Sequence, residues 1–312
     1  MVANFVKDGF EFDSIVYPYN KYTAIKINIE QHNIEKYVEY INEKRIEQAE
    51  IVMPNLEFLK RCPTLKKLYI IPSYNATKDF DFSPLYEMGE IESLHCINQY
   101  GERMQHYAII DYSKIHGLKE LSLDANCASK NFNKIESLKT LRIGGFLGKN
   151  KDLTDLFSSV VLDTLELNEC KEQSLEGIEK SKKLQCLYIN YNRSLKDIKA
   201  LGKVKETLRA LRIRNCPKIE DFSILKELEN LEMLELYGNS SLPDLSFLQS
   251  MKKLKSFIFD FNIEDGDLTK CLGLEYVYCS RGRKHYNLKD SDLPKGKFFA
   301  GNENIEEWRR LE

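Results

Sequence analysis

A nine-residue frame, Leu-x-x-Leu-x-Leu-x-x-Asn/Cys, recurs along the chain and constrains its fold more than any other feature. Five intact copies begin at Leu118, Leu162, Leu184, Leu208 and Leu231. Weaker copies begin at Leu65, Ile91, Leu138, Leu254 and Leu274. The ten units follow one another at offsets of 20 to 27 residues, and frame positions one, four and six are always apolar or Cys. A period of this length predicts stacked units, each of which buries its apolar face against its neighbours.

The spacing within the frame predicts one short strand per unit. Side chains alternate along a strand, so positions four and six share one face, which we expect to be buried. Position nine, as at Cys170 and Cys216, is expected to turn inward and satisfy backbone groups at the bend. A second pattern, Asp, an apolar residue and a Leu four residues after the Asp, follows several strands and is expected to cap and pack a short helical turn. It begins at Asp81, Asp197, Asp221 and Asp244.

These residues resemble the leucine-rich repeat family, and the short units with Asp-apolar-Ser-x-Leu are most similar to its internalin-type subgroup. The resemblance covers residues 46–282. It implies an α/β solenoid with a curved parallel β-sheet on the concave side, short helices or 3-10 turns on the convex side, and partners docked on the concave face. It implies no catalytic residues.

The two ends of the chain are predicted to cap the repeats. Residues 1–45 form an α+β N-terminal cap in this prediction, with a hairpin of residues 10–17 and 22–29 and a helix that Asn33 caps. Residues 46–51 are expected to form a degenerate first strand. Residues 283–312 form the C-terminal cap, with a last strand at 297–300 and a short helix that Asn304 caps and that contains Trp308. The alternative for residues 1–45 is a small module with its own binding role.

Composition narrows the class of protein. With 42% hydrophobic and 30% charged residues the chain is expected to fold, and its 46 basic and 48 acidic residues lack the positive excess of a nucleic-acid binder. The N-terminus has no secretion signal and no apolar run is long enough to span a membrane. We therefore expect a cytoplasmic, bacterial-style protein with no membrane contact, whose eight cysteines are reduced.

A search for chemistry finds no catalytic constellation, and neither a cofactor nor a metal is expected. The five histidines lie in no motif with a nucleophile or metal-ligand spacing. His95 and Cys96 are adjacent but point to opposite faces of a predicted strand, so His95 is expected to be solvated. Residues 144–148 contain three glycines and are expected to form a turn. The basic segment 281–284 either contacts an acidic partner or is a solvated loop.

Stacked strands turn frame positions five and seven into two columns on the concave face, and these columns carry tyrosine and arginine. Both residue types are enriched at binding hot spots. The candidate partner-binding residues are Tyr69, Arg142, Glu166, Tyr188, Tyr191, Arg212, Arg214, Glu235, Tyr237, Asp260 and Tyr278. Tyr188, Arg212, Arg214 and Tyr237 form the predicted centre. In the alternative interpretation, tyrosine simply suits strands, and Arg142 with Glu166 and Arg212 with Glu235 are surface ion pairs of little energetic value.

The sequence therefore predicts a non-catalytic protein-protein interaction module that binds a partner on its concave face, in an inhibitor, immunity-type or adaptor role. The alternative is an enzyme, or an enzyme-recruiting adaptor, whose activity lies in the N-terminal segment. That alternative requires a pocket with titratable groups within the first 45 residues.

Overall fold

The computed structural model describes residues 2–17, 20–28, 33–71, 80–96, 110–124, 129–157 and 160–299. The chain divides into two compact units, Met1–Arg142 and Ile143–Glu312. None of the helices in these described ranges is long and apolar enough to cross a membrane.

Unit 1 begins with three antiparallel strands, β1 (Val2–Lys7), β2 (Phe10–Tyr17) and β3 (Asn20–Asn28). Strands β2 and β3 form the expected hairpin, whereas β1 was not expected. Helix α1 (Ile34–Lys44) follows, and the Asn33 side chain accepts a hydrogen bond from the backbone N–H of Lys36 at 3.4 Å. The helix buries an aromatic and aliphatic stripe.

The rest of the described part of unit 1 is built mainly of short parallel strands. Strand β3 pairs in parallel with β4, so the N-terminal strands continue directly into the sheet of the repeats. Neighbouring strands in this sheet are β4 (Gln48–Val52), β5 (Lys67–Ile70), β6 (Ser93–Cys96) and β8 (Glu120–Asp124). The remaining elements are α2 (Pro84–Glu87), a separate parallel pair formed by β7 (Ile110–Asp111) and β9 (Ser129–Lys130), and β10 (Thr140–Gly144), in which the boundary between the units falls.

Unit 2 is a regular stack of repeats. Its parallel sheet has the order β11 (Thr164–Asn168), β12 (Cys186–Asn190), β13 (Ala210–Arg214), β14 (Met233–Tyr237), β16 (Ser256–Phe259) and β18 (Tyr276–Cys279). A small parallel pair contains β15 (Ser241–Leu242) and β17 (Asn262–Ile263). Neighbouring strands pair so that equal frame positions lie opposite each other. The residues at position four are all 0% exposed, and they are Leu165, Leu187, Leu211, Leu234, Phe257 and Val277.

Single turns of 3-10 helix occupy the connections after many of the strands. They span Glu57–Arg61, Tyr112–Lys114, Phe132–Lys134, Ile178–Lys180, Lys199–Val204, Ser223–Glu227, Ser246–Gln249, Thr269–Gly273 and Asp290–Asp292. The aspartates hold the start of each short helix as expected, but they lie one residue before the N-cap position, or two in the case of Asp81. Asp221, for example, precedes the N-cap residue and accepts the N–H of Ser223 at 2.9 Å, which is an Asx turn leading into the helix.

Frame position nine supports the bends, as expected. The Cys170 thiol donates to the carbonyls of Ile143 and Asn168 at 3.4 and 3.5 Å. Asn192 is 0% exposed and its side-chain oxygen accepts the N–H groups of Ser194 and Leu195 at 2.9 and 3.0 Å.

The predicted last strand at 297–300 is wrong in its described part, whereas the prediction that residues 283–312 cap the repeats stays a prediction. Residues 297–299 form no strand, and the antiparallel contact with the sheet comes earlier, at an isolated bridge between Lys295 and Tyr276. Phe299 then reaches Ser256, whose hydroxyl accepts the Phe299 N–H at 2.7 Å. The predicted helix with Asn304 and Trp308 lies outside the described residues, as does Ile97 of the position-seven column.

Candidate functional site

The candidate site lies on the face of the unit 2 sheet where frame positions five and seven point, here called the five/seven face. Strand register brings the predicted residues side by side. Position five aligns Tyr188 with Arg212 and then Glu235, while position seven aligns Arg214 with Tyr237. Four residues that are far apart in sequence therefore form the predicted centre, because adjacent strands lie only about 4.8 Å apart.

The position-five row is a stacked and ion-paired group. The Arg212 guanidinium lies over the Tyr188 ring, with its Cζ 5.0 Å from the ring centroid, and forms an ion pair with Glu235. The side chains of Arg212 and Glu235 are 11% and 6% exposed, so the two residues form a buried ion pair and not a solvent-exposed one. Tyr188 is 1% exposed, and burial raises the pKa of its phenol well above the usual value. Tyr188 thus supports Arg212 from below and offers almost no surface itself.

The position-seven row is more open. The Arg214 guanidinium lies over the Tyr237 ring with Cζ 4.8 Å from the centroid. Burial, followed by the neighbouring Glu235 carboxylate, raises the pKa of Tyr237 to about 12, so this phenol stays neutral at physiological pH. The next strand brings Asp260 alongside, where its carboxylate accepts the Gly238 N–H at 2.5 Å. Gly238 has a φ of +138°, a conformation that favours glycine.

A polar network closes one side of the five/seven face. The side-chain amide of Asn190 donates to Glu166 at 3.1 Å and to Asn168 at 2.9 Å. Glu166 and Asn190 are buried, at 8% and 6% exposed. These residues hold one another in place and leave little of Glu166 for a partner to contact.

Two predicted tyrosines are exposed. Tyr191 is 47% exposed, and its backbone N–H donates to the Arg214 carbonyl at 2.8 Å. Tyr278 is 41% exposed, and the Lys295 ammonium lies 5.4 Å from its ring centroid. They are among the largest apolar side chains open to solvent in the described part of unit 2.

In unit 1 the position-five residues Tyr69 and His95 are buried, whereas Arg142 is partly exposed. Tyr69 is 3% and His95 6% exposed, and their ring centroids are 5.8 Å apart. The prediction of a solvated His95 is therefore wrong. Burial, helped by the positive charge of Arg142, lowers the pKa of His95 to about 3, so the imidazole is neutral. Residues 144–148 behave as expected: Gly144 ends a strand and Gly145 has a φ of +66°.

Two groups of titratable residues were not predicted. In unit 1, Asp13 forms an ion pair with Lys26 at 3.4 Å and lies next to Glu50, whose pKa rises to about 7 through burial and the nearby Asp13 charge. In unit 2, Glu172 is 0% exposed, and burial raises its pKa to about 7 although Asn192 donates to it at 3.3 Å. The sequence contains one indication of these groups, which is the charged residue Asp13 inside an apolar strand pattern.

The described residues contain no group of His, Cys, Asp and Glu that could hold a metal ion. None of the seven cysteines within the described ranges forms a disulfide.

Comparisons with known proteins bear on the fold. No protein-family model and no curated protein matches the sequence. Among solved structures, an internalin from Listeria monocytogenes is similar with a TM-score of 0.53 and 19% identity, over 81% of this chain and 73% of that one. An internalin C2 from the same species (TM-score 0.37, 17% identity, 67% and 76% covered) and a leucine-rich repeat protein from Leptospira interrogans (0.35, 13%, 80% and 82%) match too weakly to support an argument. The repeats, the parallel sheets and the first of these similarities together show a leucine-rich repeat solenoid with short, internalin-type units.

Proposed function

We propose that this chain is a non-catalytic protein-binding module that holds a partner protein on the five/seven face of unit 2. The observation that carries the proposal is the double row of stacked side chains, Arg212 over Tyr188 and Arg214 over Tyr237. Arginine and tyrosine are enriched among the residues that dominate binding energy.

The rigidity of this face supports the proposal. Arg212 is held by both Tyr188 and Glu235, so its guanidinium is already ordered before a partner arrives. Ordering a long side chain on binding costs free energy, and a face that is ordered in advance avoids that cost. The exposed rings of Tyr191, directly after β12, and of Tyr278, on β18, add apolar area to the unit.

Within this proposal the module acts in a bacterial cytoplasm as an inhibitor, an immunity-type protein or an adaptor, without nucleic acid or membrane. The near balance of 46 basic and 48 acidic residues favours a protein partner over nucleic acid. The division into residues 1–45, 46–282 and 283–312, with caps at both ends, is part of the same proposal.

An enzymatic role for the N-terminal segment is the second candidate function. The observation in its favour is the pair formed by Asp13 of this segment and Glu50 of the adjoining strand β4, since Glu50, with a pKa raised to about 7, is suited to proton transfer. Asp13 and Glu50 are however 3% and 8% exposed, which leaves a substrate little access. The segment also continues directly into the repeat sheet through β3 and β4. We therefore favour the binding function.

The experiment is affinity capture from an extract of the source organism with the tagged full chain, followed by mass spectrometry. The test variant is Arg214→Ala/Tyr237→Ala, in the more open row. The matched control is Lys183→Ala/Leu272→Ala, which removes one cation and one large side chain that are exposed away from the five/seven face. Circular dichroism melts establish that both variants fold.

We expect the wild type and the control to capture the same partner and the test variant to lose it. Capture of every partner by a folded test variant would contradict the assignment to this face. Hydrolytic or transfer activity that disappears in Glu50→Gln, while capture persists, would favour the second candidate.

A further inference from the structure

Three arginines at the carboxyl ends of the unit 2 strands, Arg214, Arg281 and Arg283, form no ion pair with any carboxylate in the described part of the chain. Arg212, two residues before Arg214 on the same strand, has the opposite environment, since Glu235 neutralises it. A carboxylate of the chain itself therefore neutralises the charge of Arg212, whereas no carboxylate among the described residues neutralises the charge of Arg214.

The uncompensated arginines are nevertheless held in place. The Arg214 guanidinium lies over the Tyr237 ring, and the Nη1 of Arg281 donates to the Asn239 side-chain oxygen at 3.3 Å. The Nη2 of Arg283 donates to the backbone carbonyl of Asp260 at 3.3 Å. The basic segment 281–284 is thus attached to the ends of neighbouring repeats and is not simply a loop in solvent.

These contacts bring the three arginines to one place, here called the arginine corner and defined by Arg214, Tyr237, Asp260, Arg281 and Arg283. Asp260 links its parts, because its carboxylate accepts the Gly238 N–H next to Tyr237 and its carbonyl accepts from Arg283. The corner thus contains three arginines that form no ion pair within the described residues, and an Asp260 carboxylate that accepts a hydrogen bond from the Gly238 N–H.

The arginine corner also has unused donors. The Nε groups of Arg214 and Arg283 are buried, and neither has a hydrogen-bond acceptor among the described residues. These two Nε atoms are covered by the chain itself, so a partner meets the side chains at their more exposed atoms. A carboxylate is the acceptor whose planar shape fits the guanidinium fork.

We propose that the arginine corner binds an acidic segment of the partner protein. This inference rests on the proposed function and adds the chemistry of the partner. A protein segment is favoured over nucleic acid because the chain carries no positive excess, with 46 basic and 48 acidic residues, and because the Asp260 carboxylate lies near Tyr237. Separate carboxylates can avoid Asp260 while each reaches one arginine.

The test measures binding of defined probes to the purified full chain by fluorescence anisotropy. The probes are a fluorescein-labelled oligoglutamate, the matched oligoglutamine and an oligothymidylate of equal net charge, at ~25 mM and ~150 mM salt. The corner variant is Arg281→Gln/Arg283→Gln. The matched control, Lys182→Gln/Lys183→Gln, removes the same charge from exposed positions before β12.

We expect the oligoglutamate to bind, the oligoglutamine not to bind, and the corner variant to weaken oligoglutamate binding about tenfold while the control leaves it unchanged. Equal binding by the corner variant and the wild type would overturn the inference, and so would tighter binding of the oligothymidylate. These probes do not involve the native partner, so failure here leaves the capture experiment with Arg214→Ala/Tyr237→Ala intact as the separate test of the proposed function.

Discussion

Arg212 and Glu235 occupy the same register position on neighbouring strands and form a buried ion pair. Removing one partner of such a pair leaves the other charge desolvated without compensation, whereas removing both leaves an apolar contact. We therefore expect Arg212→Met and Glu235→Leu each to lower the free energy of unfolding by about 3 kcal/mol, and the double variant to be more stable than either. Urea denaturation measures all three.

The control for this cycle is the exposed pair of Lys205 and Glu227, with side chains 41% and 55% exposed. The corresponding Met and Leu substitutions there are expected to change stability by less than about 1 kcal/mol. Additive losses at Arg212 and Glu235 would show that the pair is not coupled.

Glu172 is expected to make stability depend on pH. Its pKa is raised to about 7 in the folded chain from an ordinary value of 4.5, so the folded state holds a proton that the unfolded state has released. Stability from this group is therefore highest below pH 4.5 and decreases as pH rises towards 7. Glu172→Gln should remove this slope and stabilise the chain by about 2 kcal/mol at neutral pH.

The measurement is urea denaturation across that pH range, with Glu169→Gln, an exposed acid three residues away, as the matched control. Glu50 acts in the same direction as Glu172, so the single variant removes only part of the total slope. An unchanged slope in Glu172→Gln would refute the assignment.

Asp111 is expected to stabilise the turn that follows it. Its carboxylate accepts the N–H and hydroxyl of Ser113 and the side-chain amide of Asn131, and these bonds lower its pKa. Asp111→Ala should reduce the free energy of unfolding by about 1 kcal/mol. The contribution requires the ionised form, so it should fade in acid as the carboxyl is protonated. Glu136→Ala, which removes an exposed acid from the same unit, should have little effect in the same denaturation assay.

Frame position nine is expected to tolerate exchange between Cys and Asn. The buried Cys216 thiol has a pKa raised to about 11 by burial and bonds the Arg214 carbonyl at 3.4 Å. Because Asn192 fills the equivalent place by bonding backbone N–H groups, Cys216→Asn should cost about 1 kcal/mol or less. Cys271→Asn, at a 0% exposed cysteine outside the frame, should cost about 3 kcal/mol in thermal or urea melts. Equal losses would show that position nine has no special tolerance.

The repeating part of the fold was predictable because each core residue follows from its place in the frame. Leu187 and Leu211 are paired and fully buried because both occupy position four. Strand β1 had no counterpart in the repeat, and the path of Phe299 to Ser256 depends on a tertiary contact. Such features do not repeat, so no internal comparison within the sequence reveals them.

The sequence predicted which residues of the candidate site lie side by side, but it did not predict how deeply each of them is buried. The columns placed Tyr188, Arg212 and Glu235 side by side, and the register confirms this. The pattern shows which face a side chain takes, but the neighbours on that face decide how much water reaches it. Tyr188 and His95 share a frame position with Tyr278, yet only Tyr278 is open to solvent.

The in-register stacking of unit 2 also has an evolutionary consequence. Every strand contributes buried anchors at positions four and six and turns its residues at five and seven to the opposite face, where some of them, such as Tyr278, are open to solvent. A substitution at an exposed position such as Tyr278 alters the surface of this face and leaves the buried position-four layer untouched. Such a surface can acquire a new specificity one strand at a time without first losing its fold.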